Sequence, residues 1–436
     1  MQEKPKINVV WFRNDLRTRQ QTSLASAFQE QLPVLGVYCF DPRQFAVTPY
    51  GFRKTERYRA RFLIESVKDL QNQLSDLNVS LVIQQAHPAD TFEELSQHIE
   101  IQSVFFQNEW TQEEYDTEQR VRQCMPWASF HGSYDQFLFH PDDIPYQGYR
   151  AIPEVFTEFR KKCEKYGSIR NLQPPLEKRQ DKLESLVTSK IPTLSDLGLK
   201  DFDTDPRSAY PFAGGTTQAY RRMDYYFWNT HKLSNYKKTR NGLIGPDYSS
   251  KLSAWLANGS ISALEVYYEI KQFEQRIKKN QDTYWLVFEL IWRDYFKYIS
   301  LKHGNRIFQL HGLKNHYHDW HYDEQKFSDW IHGNTGEPFV DSNMIEIAKT
   351  GYMSNRGRQN VNSFWAKEWK QDWRAGAAYF EAMLVDYDVH SNWGNWMYNS
   401  GVGNDPRDRK FNIQTQAARY DPDGDYRKLW LEAPVP

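Results

Sequence analysis

Cysteine is scarce, net charge is nearly absent, and no stretch is apolar enough to span a bilayer. The three cysteines, Cys39, Cys124 and Cys163, lack CxxC spacing, which argues against a disulfide framework or a structural zinc site and suits a reducing compartment. Lys plus Arg (55) almost cancels Asp plus Glu (56), so any contact with nucleic acid has to come from a local patch. No apolar run reaches about 18 residues. The start, Met1-Gln2-Glu3-Lys4-Pro5-Lys6, leads into an apolar strand without the hydrophobic core of a signal peptide. A soluble, cytoplasmic protein that keeps away from membranes is expected. Internal repeats and low-complexity tracts are missing too.

Aromatic residues are abundant. They make up 16% of the chain, with 15 Trp, 27 Tyr and 26 Phe, inside a hydrophobic fraction of 39%. Such a chain can bury large cores. Its 436 residues suggest two or three domains at roughly 100 to 200 residues each.

In the first third, residues 7–12, 34–40, 81–83 and 104–106 are short apolar runs that read as buried strands of a parallel sheet. Between them Phe62, Val67, Leu70, Leu74 and Leu77 recur at helical spacing. Together they predict an α/β domain, a doubly wound parallel sheet over residues 1–130, with its ligand crevice at the carboxyl ends of the strands. Residues 131–200 are rich in Pro, Gly and Lys and read as a long connector. Residues 201–436 read as a large all-helical domain. There, Val266, Ile270, Phe273 and Ile277 form one stripe behind a Ser262–Glu265 capping box, and Trp285, Phe288, Trp292, Tyr295 and Ile299 form another.

Three segments carry chemistry. On a helix, Glu289 and Arg293 are i, i+4 neighbours with Trp292 beside them: either an ordinary ion pair next to a core ring, or a pocket where Trp292 stacks on a planar ligand. Tyr248-Ser249-Ser250-Lys251-Leu252-Ser253 places hydroxyls and a lysine where a helix begins, which suits plain capping or a phosphate. Asp386-Tyr387-Asp388, ahead of Ser391-Asn392-Trp393-Gly394-Asn395-Trp396, reads as a turn between helices. With no His or Cys at ligand spacing, a metal is not expected there. Upstream, Arg356 and Arg358 are placed to pair with those carboxylates or to grip phosphate.

Taken together, Trp11-Phe12-Arg13-Asn14-Asp15-Leu16-Arg17, Trp292-Arg293-Asp294, Ser354-Asn355-Arg356-Gly357-Arg358-Gln359-Asn360, Asp372-Trp373-Arg374 and the Asp386–Trp396 segment resemble the photolyase/cryptochrome family. Gly401-Val402-Gly403-Asn404-Asp405-Pro406-Arg407 and Tyr420-Asp421-Pro422-Asp423-Gly424-Asp425-Tyr426 are similar to the DASH cryptochromes. The resemblance runs through the whole chain in order. It implies a U-shaped FAD in the helical domain and, in many members, a 5,10-methenyltetrahydrofolate antenna against the α/β domain, where Glu109 stands at the folate-contacting position.

The resemblance assigns Tyr236, Ser249, Ser250, Lys251, Leu252, Ser253, Trp285, Arg293, Arg358, Asp386 and Asp388 to FAD, with Asn392 facing flavin N5. Trp396, Trp373 and Trp320 match a chain that carries electrons from the surface, although each taken alone is better read as core filling. Glu289, Trp292, Asn355 and Arg356 match residues that hold a flipped pyrimidine dimer. Gln359 and Tyr398 replace the Met and second Trp of the classical dimer photolyases, which points to dimers in single-stranded or looped DNA. Arg407, Arg409 and Lys410 form a basic run that either contacts DNA phosphates or faces water. One departure is Arg17-Thr18-Arg19-Gln20-Gln21-Thr22, where the family commonly continues with Leu and then Asp-Asn. The expected activity is blue-light-driven, FAD-dependent repair of cyclobutane pyrimidine dimers by a monomeric lyase. Its rivals are a signalling photoreceptor and a nucleotide-dependent transferase built on the α/β crevice. The chain stops at Val435-Pro436 without the long extension of signalling members, which favours repair.

Overall fold

In the computed structural model, which describes residues 4–181, 183 and 189–432, five parallel strands form one sheet in the order β3-β2-β1-β4-β5. Met1–Glu3 and Val435-Pro436 lie outside the described residues. The strands are β1 (Lys6–Trp11), β2 (Val34–Cys39), β3 (Ser80–Gln84), β4 (Glu100–Gln107) and β5 (Ser129–Ser133). Four are the apolar runs expected from the sequence. The fifth, Ser-Phe-His-Gly-Ser, is an edge strand facing water and so lacks the hydrophobic signature. Register pairs Val9 with Leu35 on one side and with Val104 on the other. Strand order therefore reverses at β1, and the crevice opens where β1 and β4 end.

The helix Arg57–Asp76 buries Val67, Leu70 and Leu74 against one face of the sheet, with Leu77 as its C-cap, whereas Phe62 of the expected stripe turns to the helical part and packs on Tyr210 and Trp255. Helices Pro88–His98 and Gln112–Cys124 cover the other face. Residues 131–200 include the helix Phe156–Tyr166. Farther on, Ser189 takes the Ile83 amide at 2.8 Å, closing the exposed edge of β3.

The helical part is built around Gln281–His303, a 23-residue helix whose Tyr295 and Ile299 are enclosed while Trp285, Phe288 and Trp292 are half-buried. Its Asp294 is fully buried and accepts the amides of Leu138 and Phe139 at 2.8–3.0 Å, fixing the chain as it leaves the first domain. Arg17 does the reverse, donating from the first domain to the Gly259 carbonyl at 2.9 Å. The expected capping box forms at Ser262 and Glu265 ahead of Ala263–Arg276. Ile277 does not join the stripe: it is the C-cap of that helix, where the backbone turns away, and stands 44% exposed.

The segment read as a turn is mostly helix. Val389–Ser400 is helical, capped by the Asp388 carboxylate on the Ser391 amide at 2.8 Å. Packing overrides poor helix propensity here, because Gly394 lets the helix press onto Phe296, whose Cδ1 lies only 2.4 Å from where a Cβ would sit.

Candidate functional site

A cavity of about 480 Å³ opens among helices 281–303, Asn355–Ser363 and 389–400 and the segment leading into the short helix Ser253–Ala257. Ser249, Ser250, Leu252 and Ser253 line it. Behind them, buried Arg222 donates to the Ser249 and Ser250 carbonyls, each at 3.0 Å, and fixes the segment's path. Lys251 also lines the cavity, with its ammonium 3.1 Å from the Tyr352 hydroxyl and 3.4 Å above the Tyr248 ring. Burial pushes its pKa well down. Tyr236, buried at the start of Tyr236–Thr239, completes that side.

Arg358 donates to both oxygens of Asp386 at 2.9 and 3.0 Å, so the expected pair exists and faces the cavity. Glu289 and Arg293 do not pair. Arg293 turns toward the first domain, donating to the Gln136 carbonyl and, at 3.0 Å, to that of Leu256. Glu289 takes Arg240 instead. Burial pushes the Glu289 carboxyl up, and the Arg240 guanidinium offsets part of that. On the next turn Lys297 reaches Asp388 at 2.6 Å. Burial alone would raise the Asp388 carboxyl, but Lys297, His390 and Arg293 outweigh it and hold it far below the usual carboxylate range.

At the mouth, Trp292 meets Tyr398 edge to face, 5.8 Å between centroids at 88°. The back of Trp292 is stacked on Phe156 of the connector at 3.6 Å, which fixes the plane of its ring. Asn355, Gln359 and Arg409 line the same cavity. An inner recess of about 70 Å³ shares Asn355, Arg358, Gln359, Asp386 and Asp388 with it and ends at Asn392 and Trp396. Asn392 donates its amide to the Ala377 carbonyl at 3.0 Å, which fixes the side chain's orientation.

Other residues marked by the sequence stand away from the cavity. Trp285 is one ring removed, stacked on Phe288 at 4.6 Å. Arg356 lies over the Tyr420 ring, Lys410 pairs with Glu368, and the Arg407 amide is tied to Asp405. Trp373 is fully buried behind the recess, with its indole N–H on the Leu310 carbonyl. Trp320 is half-buried, with its N–H on the Ala366 carbonyl at 2.7 Å. Sequence reasoning missed Arg240, Lys297, Tyr352 and Phe156. Lys297 lies two turns beyond Glu289 on one helix, a usable signal. Arg240 and Phe156 reach the site from distant segments by no local rule.

Glu109 lies in the first domain's crevice, a separate space of about 210 Å³, where Asn14 donates to both its oxygens at 3.1 Å. Beside it the Glu114 carboxyl is pushed up to about 7 by burial and by the charge of Glu109. Arg293 and Asp388 line both crevice and cavity and form a shared wall. In the loop that departs from the family pattern, Gln21 caps Thr22–Gln29 and Arg17 is buried.

The donor set of the larger cavity suits a dinucleotide with a polar ring system: hydroxyls along one wall, an Arg–Asp pair, and an oriented amide at the inner end. Known proteins resemble the chain throughout. Residues 8–180 match the DNA photolyase family and residues 285–434 match the FAD binding domain of DNA photolyase. The cryptochrome DASH of Gloeobacter violaceus is 46% identical over 432 residues, 98% of this chain and 85% of that one. That of Xenopus laevis is 43% identical, covering 98% and 82%. The crystal structure of Synechocystis sp. PCC6803 cryptochrome superimposes with a TM-score of 0.93 at 42% identity, covering 99% of this chain and 89% of that one. A bacterial class III photolyase from Agrobacterium tumefaciens superimposes with a TM-score of 0.81 at 25% identity, covering 99% and 87%.

Proposed function

The chain belongs to the photolyase/cryptochrome family, among the DASH cryptochromes, and from that premise we propose that it repairs cyclobutane pyrimidine dimers in single-stranded or looped DNA under blue light. One observation carries this reading: the cavity walled by Trp292, Tyr398 and Glu289 is lined by the Arg358–Asp386 pair as well, and through that pair it shares a wall with the recess that ends at Asn392. FAD is the family's cofactor and supplies, when bound, the light-driven electron that splits the dimer.

The chain's own groups do the rest. Ser249, Ser250 and Ser253 meet the diphosphate. Arg358, locked by Asp386, presents a fixed positive charge to the ring system, and the oriented amide of Asn392 offers it a hydrogen-bond partner. Trp292, backed by Phe156, and Tyr398 form a right-angled wedge for two adjacent bases. Glu289 and Asn355 accept and donate hydrogen bonds to the base edges. Arg240 neutralises Glu289 until a substrate arrives. Arg409 meets a flanking phosphate. In the crevice, Glu109 and Asn14 hold a folate antenna, whose amino and amide groups suit an acid-lined pocket better than a phosphate would.

Ultraviolet-irradiated oligo-dT, fully reduced flavin and blue light test the reading. Restored thymine absorbance on single strands is expected. Flavin-loaded protein without such repair would leave the photoreceptor in its place. A near-ultraviolet absorption band in the purified protein, lost in Glu109→Ala, is expected of the folate.

A further inference from the structure

Glu154 ties the connector to both walls of the cavity mouth. It stands just ahead of the helix Phe156–Tyr166. Its carboxylate meets Lys302 at 2.6 Å and His303 at 3.0 Å, both at the end of the helix that carries Trp292. Its backbone carbonyl accepts the Tyr295 hydroxyl of the same helix. Two residues along the chain, Phe156 lies flat on Trp292, 3.6 Å between centroids at 12°. The other arm is Asn404, whose side-chain amide donates to the Glu154 carbonyl at 3.2 Å and to its carboxylate at 3.0 Å.

Asn404 belongs to the Gly401–Arg407 segment, which doubles back on the helix bearing Tyr398: the amides of Val402 and Gly403 both reach the Met397 carbonyl, at 3.2 and 2.9 Å. The next residue, Asp405, is 2% exposed. Its carboxylate stands by the Tyr398 hydroxyl, and burial together with that charge pushes the hydroxyl's pKa up. Trp292 is therefore held through one arm of Glu154 and Tyr398 through the other.

We propose that Glu154 is a positioning residue for the damaged strand, holding Trp292 and Tyr398 at right angles before DNA arrives. The proposal rests on the reading that this mouth receives a dimer, and it deepens that reading by naming what prepares the mouth. Binding then has neither ring nor loop left to order, a cost that otherwise weakens association. Glu154 and Asn404 line neither the cavity nor the recess, so they act only through the two rings. The hydrogen bond from His303, aided by that from Lys302, outweighs burial and holds the Glu154 carboxyl at about 2, so the anchor keeps its charge at neutral pH. The side chain is 49% exposed, so truncating it opens no void in a core.

Flavin-loaded protein is titrated in the dark with oligo-dT, irradiated or not, and then illuminated at saturating strand concentration. Glu154→Ala should weaken binding of the irradiated strand about tenfold and binding of the undamaged strand much less, while bound dimers are still split at close to the wild-type rate. Glu154→Gln keeps an acceptor for Asn404 and should restore most of the lost affinity. Asn404→Ala should match Glu154→Ala, and the double variant should be no worse than either, because the two residues form one clamp. Unchanged affinity in Glu154→Ala, equal losses on irradiated and undamaged strands, no rescue by Glu154→Gln, or additive losses in the double variant overturn the clamp. Wild-type protein that holds flavin and binds the irradiated strand without repairing it defeats the parent reading instead, and the affinity comparison still decides the clamp.

Discussion

At the scale of single residues the site is governed by charges taken out of water and then paired. Lys297 and Asp388 show this most clearly, 2.6 Å apart with side chains 5% and 10% exposed. Removing one partner from such a pair costs about 3–5 kcal/mol, because the other is left buried and charged. Lys297→Met should therefore destabilise the protein by about that much at neutral pH. The pH dependence has a definite sign. A carboxyl held in the fold below its unfolded value of about 3.9 stabilises the protein above that pH, and the contribution fades as pH falls toward the folded value. Asp388 is depressed in this way. Without Lys297 its folded pKa rises, so the variant should release flavin and unfold at a higher pH on acidification than the wild type. Superimposable acid-unfolding curves would show that the pair does not hold the shared wall. Asp386→Asn should act differently. It frees Arg358 at the cavity wall, and the expected result is weaker flavin retention, read by equilibrium dialysis.

At the scale of elements, glycine at two crossing points lets helices carry the site. Gly376, on Trp373–Met383, sits where a Cβ would come within 2.2 Å of the Trp396 ring. Overpacking a core by one methyl typically costs about 1–3 kcal/mol. Gly376→Ala should cost that much in urea unfolding and also slow flavin photoreduction, since the indole of Trp396 has to shift. Lost stability with an unchanged photoreduction rate would place Trp396 off the electron path. Elements of this kind were unevenly legible in the sequence. The buried strands and the 262–276 helix announced themselves by periodicity and a capping box, because burial and local hydrogen bonding leave a pattern along the chain. Strand β5 did not, its side chains facing water. Nor did the 389–400 helix, whose Asn and Gly content signals a turn until Phe296 packs against Gly394. The site was legible as motifs and not as geometry: Arg358–Asp386 formed as expected, while Glu289 found Arg240, 49 residues away, which no spacing rule links to it.

At the scale of the whole molecule, a net charge of −1 and the engagement of several cations by carboxylates decide how DNA is chosen. Arg240 is engaged by Glu289, Lys410 by Glu368, and Arg409 lies 3.5 Å from Asp405. Each phosphate contact on a single strand contributes a slope of about 0.7 to the logarithmic salt dependence, so a weak dependence of affinity on salt is expected, reduced by about that much in Arg409→Ala. Affinity must then come mostly from the wedge of Trp292 and Tyr398, where base stacking is worth about 1–3 kcal/mol per base. Extruding a paired base from a duplex costs a few kcal/mol, a sum comparable to everything the wedge supplies. The two nearly cancel on duplex DNA and do not cancel where the strand is already open. A dimer in an unpaired bubble within a long duplex should therefore be repaired at close to the single-strand rate, and the same dimer fully paired much more slowly, in side-by-side repair assays at one salt concentration. If bubble and duplex were repaired equally slowly, discrimination would lie in contacts outside the cavity, and the Trp292–Tyr398 wedge would not be what selects open DNA.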